Sequence, residues 1–133
     1  MDNRSANVLI IEDQPSIADI LMEYLKRDQN FKFEATWHSS LAEGLTHLKN
    51  NQVDIVMLDL GLPDSDGYKT FEKVRKQQPN VPIVIISGIH DEEMAVKAIE
   101  NGAQDYLIKG ELDLDSLCRT LRYSMVRFRV RKK

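Results

Sequence analysis

Val53-Asp54-Ile55-Val56-Met57-Leu58-Asp59 runs into Leu60-Gly61-Leu62-Pro63-Asp64-Ser65-Asp66-Gly67, and this stretch decides the fold. A short apolar run that stops at a carboxylate, with a glycine- and proline-rich loop behind it, reads as a buried parallel strand reaching the carboxyl edge of a sheet. Three other runs end in the same way. Val8-Leu9-Ile10-Ile11 ends at Glu12-Asp13, Ile83-Val84-Ile85-Ile86 at Ser87-Gly88, and Tyr106-Leu107-Ile108 at Lys109. Open α/β sheets carry their ligand sites at that edge. Three acids, a hydroxyl and an ammonium are therefore expected at one rim, delivered by four strands.

Between these runs the apolar residues follow a helical period. Ile17, Ile20, Leu21, Tyr24 and Leu25 form one stripe, and Leu41, Leu45 and Leu48 a second. Phe71 and Val74 belong to a third, Met94, Ala95, Ala98 and Ile99 to a fourth, and Leu114, Leu117, Leu121, Met125 and Phe128 to a fifth. Ser40-Leu41-Ala42-Glu43 reads as a capping box, Asp91 as the cap of the fourth helix, and Asn101-Gly102 as its end. Phe31, Phe33, Ala35 and Trp37 alternate as on an edge strand. Five β/α pairs in strict order predict an α/β fold, a single doubly wound domain with helices on both faces of a parallel sheet. The expected strand order is 2-1-3-4-5 (flavodoxin-like), which puts strands 1 and 3, with Glu12, Asp13 and Asp59, at the switch point. Residues 1–6 read as a flank, 7–125 as the domain, and 126–133 as the basic end of helix 5 or a linker stub.

A chain of 133 residues, 42% hydrophobic and 29% charged, can bury a core without disulfide or metal staples. No apolar run approaches a membrane span and Met1-Asp2-Asn3-Arg4-Ser5 does not begin a signal peptide, so no membrane contact is expected. The lone Cys118 has no partner, which fits a reducing, cytoplasmic setting and a role as small apolar filler. The net charge of −3 hides an asymmetry: Arg119 to Lys133 holds seven bases and no acid, leaving 11 bases against 21 acids in the body. An acidic body of this kind is not expected to bind nucleic acid directly, and the basic tail suits a helix C-terminus.

Three converging carboxylates repel one another unless they share a cation. Oxygen ligands alone suit a hard divalent ion, Mg²⁺ in a cell. An aspartate beside such an ion is a workable nucleophile toward phosphorus. Ser87 can donate to one phosphoryl oxygen, Lys109 can neutralise another, and Gly88 leaves room for the group to approach. As a strand-end lysine, Lys109 is expected to be exposed and to add little to stability.

These residues resemble the receiver domain of two-component response regulators, over about residues 6–125. Glu12-Asp13 stands at the family's acidic pair, Asp59 at its phosphoacceptor, and Ser87-Gly88 at its hydroxyl-plus-small pair. Tyr106 matches the switch aromatic, Lys109 the lysine, Leu62-Pro63 the loop, and Asp66-Gly67 the helix start. The resemblance implies Mg²⁺ held by Glu12, Asp13, Asp59 and the backbone carbonyl of Gly61, with Ser87 and Tyr106 as switch residues. It further implies phosphoryl transfer to Asp59 from a sensor histidine kinase or histidine phosphotransfer protein, with no catalysis beyond self-phosphotransfer and autodephosphorylation. The output would be a domain fused after residue 133 or a separate target. A homodimer through helix 4, strand 5 and helix 5 is a further expectation, with Arg119 or Arg122 meeting acids such as Asp105 across it. Two departures stand out. Gly110 replaces the family's proline, so the Lys109–Gly110 bond should be trans. Gly61 offers no side chain over the phosphoryl group at a position that, with Ile89, tunes its lifetime.

Two rival readings share the fold or the chemistry. A Mg²⁺-dependent aspartate-nucleophile phosphatase-like hydrolase needs a second acid two residues past the nucleophile, where this chain has Gly61. A non-phosphorylated interaction module would leave the acidic cluster without use. His38 and His47 read as surface residues, and His90 as a solvated loop residue three positions past Ser87.

Overall fold

The computed structural model describes residues 5–88 and 91–132, with side chains through Arg129. Ile89 and His90 lie outside the described residues. The elements alternate without exception: β1 (Ser5–Ile11), α1 (Pro15–Arg27), β2 (Lys32–His38), α2 (Leu41–Asn50), β3 (Ile55–Asp59), α3 (Gly67–Gln77), β4 (Ile83–Ser87), α4 (Glu92–Glu100), β5 (Asp105–Ile108) and α5 (Leu114–Lys132). All strand pairs are parallel, in the order β2-β1-β3-β4-β5, as the sequence predicts.

Strand alternation splits the core in two. Leu9, Ile11, Val56, Leu58, Ile83 and Ile85 face α2, α3 and α4, where Phe71, Val74, Ala95 and Ala98 meet them. Val8, Ile10, Met57, Val84 and Ile86 face α1 and α5, against Leu21, Leu25, Leu117 and Leu121. Every residue of β3 and β4 is buried, which is why both strands read as continuous apolar runs. Gly44 lets α2 lie close on β1, since a Cβ there would overlap Ile11 Cδ1. Cys118 is 1% exposed, and burial pushes its thiol up to about 12, in keeping with a filler.

Several local expectations need correction. β1 takes Ser5 and Ala6 out of the expected flank, and Ala6 is buried beside Phe33. Asp91 occupies the N-cap of α4 without a side-chain capping bond. The capping box at α2 is half formed. Ser40 Oγ accepts from the Glu43 N–H at 3.2 Å, but the Glu43 carboxylate turns to His38 Nδ1, 3.9 Å away. The missing support comes from a distant residue: both Asp64 carboxylate oxygens accept from α2, from the Leu41 N–H at 3.0 Å and the Ala42 N–H at 3.1 Å. Ile20 is 40% exposed, off the buried face of α1 that Ala18, Leu21 and Leu25 define. Within the chain, Arg122 pairs with Asp28 at 3.2 Å and Asp105 with Arg127 at 3.7 Å.

Among the described residues no helix is long and apolar enough to cross a membrane. No cis peptide bond occurs among them either, so Lys109–Gly110 is trans as expected.

Candidate functional site

Strands β1, β3 and β4 end at one rim, and β5 delivers Lys109 beside them. Glu12 is fully buried, Asp59 is 2% exposed and Ser87 is 1% exposed, while Asp13 is half-buried. One carboxylate oxygen from each of Glu12, Asp13 and Asp59 lies within 4.8 Å of the others. The ends of β1 and β3 thus bring the three acids together, with the Lys109 ammonium beside Glu12 and Asp59.

Each side chain is held by identifiable bonds. The Glu12 N–H donates to the His38 carbonyl at 3.1 Å, and the Glu12 carbonyl accepts from Trp37 Nε1 at 2.6 Å. Glu12 Oε2 accepts from the Gln14 N–H at 3.0 Å, and Asp59 Oδ1 from the Gly61 N–H at 3.0 Å. Lys109 Nζ stands 3.2 Å from Glu12 Oε1 and 3.5 Å from Asp59 Oδ2, and donates to Gln14 Oε1 at 2.8 Å. Its side chain is only 20% exposed, so Lys109 is not the solvent-facing lysine that the sequence suggests. Gln14 is the residue that sequence reasoning missed here. It follows the acidic pair in a turn, and nothing in its type signals that its amide steadies a lysine 95 positions later.

Among the described residues, Glu12 Oε1, Asp59 Oδ2 and Ser87 Oγ at this rim have no hydrogen-bond partner. Lys109 faces the two carboxylate oxygens as an ion pair, but one ammonium cannot balance three acids. Burial pushes the Glu12 carboxyl up to about 7, with repulsion from Asp59 adding to it and the Gln14 N–H and Lys109 opposing it. Burial likewise raises the Asp59 pKa, against the bond from Gly61. Buried, crowded oxygens of this kind fit a hard divalent cation.

The sign of the linkage is open to test. A carboxyl whose folded pKa lies above its unfolded value favours the native state at low pH, and that contribution fades between 4.5 and about 7. In metal-free buffer, Glu12→Gln should therefore gain stability relative to the wild type as pH rises across that window. The gain should reach up to about 3 kcal/mol, at about 1.4 kcal/mol per pH unit. Urea melts of both proteins from pH 4.5 to 8 measure it; a pH-independent difference would mean that Lys109 keeps Glu12 ionised throughout.

Tyr106 packs its ring against the α4 side of the core and donates its hydroxyl to a Glu92 carboxylate at 3.2 Å. A Cβ on Gly88 would meet Asp91 Oδ2 at 3.6 Å, an ordinary contact.

The sequence profile of the response regulator receiver domain matches residues 8–122. The KDP operon transcriptional regulatory protein KdpE of Escherichia coli (strain K12) is 38% identical over 103 residues, 77% of this chain and 44% of that protein. The probable C4-dicarboxylate response regulator DctR of Bacillus subtilis (strain 168) is 32% identical over 109 residues, 82% of this chain and 48% of that protein. The chain thus spans less than half the length of these relatives. Among solved structures, NtrX from Brucella abortus in complex with ADP superposes with a TM-score of 0.85 at 27% identity, covering 96% of this chain and 29% of that one. A response regulator receiver domain protein from Clostridium thermocellum gives a TM-score of 0.81 at 27% identity, covering 94% of this chain and 98% of that one.

Proposed function

The chain belongs to the response regulator receiver domain family of two-component systems, and from that premise we propose that Asp59 is its phosphoacceptor. A carboxylate oxygen of Asp59 attacks the phosphorus of a phosphohistidine; the P–N bond breaks and the imidazole leaves with a proton. The observation that carries this reading is the convergence of Glu12, Asp13 and Asp59 within 4.8 Å, with Lys109 Nζ 3.5 Å from Asp59. Mg²⁺, held by Asp13, Asp59 and the Gly61 carbonyl with Glu12 acting through water, would neutralise charge on the transferring oxygens. Lys109 balances a further oxygen, and the buried Ser87 Oγ, without a partner among the described residues, is available to donate to the third.

Once phosphorylated, Asp59 carries close to two negative charges, about one more than its carboxylate did, and so competes for Lys109 against Glu12 and Gln14. Ser87 ends β4 and Lys109 follows β5 directly, so the ordering of both reaches Tyr106 and the α4–β5–α5 face. We assign that face to the target or to a second copy of the chain. The donor is a sensor histidine kinase or histidine phosphotransfer protein in the cytoplasm, and any nucleic-acid-binding or catalytic output lies outside residues 5–132. A phosphatase-like hydrolase is disfavoured by Gly61, which leaves no acid two residues past Asp59 to protonate a leaving group.

Lys109→Ala separates chemistry from signalling. The variant should still take up phosphoryl from acetyl phosphate with Mg²⁺, while amide shifts near Tyr106 no longer follow. It should also lose on the order of 1–3 kcal/mol of metal-free stability at neutral pH, because two buried carboxylates lose the cation paired with them. Two-dimensional amide spectra with and without phosphodonor test this. Unchanged propagation to residues 104–112 would remove Lys109 from the switch.

A further inference from the structure

Beside the acidic trio, two imidazoles meet at a tilt of 53°. His38 ends β2 and His47 lies on α2, and their Nε2 and Nδ1 atoms are 3.3 Å apart. Both residues are half-buried, not the surface residues the sequence suggested. They open onto a cleft of about 410 Å³ that Glu43, Thr46 and Asn51 also line. Glu43 precedes His47 by four residues and shares its helix face. Its carboxylate lies 3.9 Å from His38 Nδ1, on a side chain 63% exposed.

We propose that this cleft binds a divalent transition-metal ion of the zinc type, through His38 Nε2 and His47 Nδ1, with Glu43 as third ligand and water completing the shell. A tetrahedral ion holds imidazole nitrogens at about 2.0 Å, which sets them about 3.3 Å from each other. The facing nitrogens stand at that spacing. Without an ion the pair can share one proton at most, over a separation longer than a typical N–H hydrogen bond. Burial, then the neighbouring His38, holds the His47 pKa below its usual value, which favours the neutral ring that a metal requires. Asn51 Nδ2 is also 3.4 Å from His47 Nδ1, but its 3.1 Å bond to the His47 carbonyl keeps it placed without that contact. Two nitrogens and a carboxylate select a softer ion than the all-oxygen trio, so the two sites sort their metals by ligand chemistry.

The His38 carbonyl accepts the Glu12 N–H, so the sites adjoin and the test must separate them. Zn²⁺ is titrated into the whole chain with Mg²⁺ in large excess, followed by calorimetry and by imidazole nitrogen NMR. One Zn²⁺ per chain should bind, moving the ring resonances of His38 and His47. His38→Asn and His47→Asn should each weaken binding at least about tenfold, Glu43→Gln less, and Asp13→Asn not at all. The proposal is overturned if the wild type takes up no Zn²⁺, if the ring resonances stay still, or if Asp13→Asn abolishes binding while His47→Asn leaves it intact. The ring resonances of the wild type decide the outcome even where a variant fails to fold.

Discussion

Asp59→Asn is expected to reduce phosphoryl uptake from one equivalent to none, while leaving the metal-free protein at least as stable as the wild type. The two effects have one cause. Asp59 is 2% exposed and crowded by Glu12 and Asp13, with burial raising its pKa. An amide keeps the side-chain volume and still offers an oxygen to the Gly61 N–H, 3.0 Å from Oδ1 in the native protein. It removes the nucleophile and one of three repelling charges. Intact mass after incubation with acetyl phosphate and Mg²⁺ measures the first effect, and urea denaturation in chelator the second. A variant that still gains a hydroxylamine-labile phosphoryl group would move the acceptor to another acid.

The largest expected loss of stability falls at the opposite end of the sheet, at Arg75. Its guanidinium donates to four backbone carbonyls: Val81 at 2.8 Å, Gly102 at 3.1 Å, Pro79 at 3.2 Å and Gln78 at 3.4 Å. It also lies 5.8 Å from the Phe71 ring centroid and 5.7 Å from that of Phe128. One side chain therefore ties the α3–β4 loop, the α4–β5 turn and the far part of α5. Arg75→Ala leaves several carbonyls unpartnered and opens space between two rings. The cost should be about 3 kcal/mol or more, a fall in Tm of roughly 10 °C. Arg75→Lys, a point charge without the guanidinium fork, should recover only part of it. A thermal melt of Arg75→Ala within 2–3 °C of the wild type would show that water replaces these bonds at little cost.

The fold was legible because its signals are local. Each buried strand writes its own apolar run, and each helix its own stripe, so strand order followed from alternation and handedness. The site was legible for the same reason: Glu12, Asp13, Asp59, Ser87 and Lys109 all sit where such a run stops. What stayed hidden depends on distant partners. Asp64 caps a helix 22 and 23 residues before it in the chain, Gln14 holds Lys109, and Arg75 reaches across 27 residues to Gly102. Polar residues of this kind carry no period, and their roles appear only once the backbone brings the acceptor near. Ile20 shows the opposite failure, since an apolar residue at helical spacing need not be on the buried face.

The central claim is that Asp59 itself takes the phosphoryl group. Wild-type protein incubated with acetyl phosphate and Mg²⁺, trapped by borohydride reduction of the acyl phosphate and mapped by peptide mass spectrometry, tests it most directly. The account predicts a single reduced residue, at position 59, formed only when Mg²⁺ is present. Reduction at Glu12, Asp13 or any other acid with position 59 untouched would contradict it.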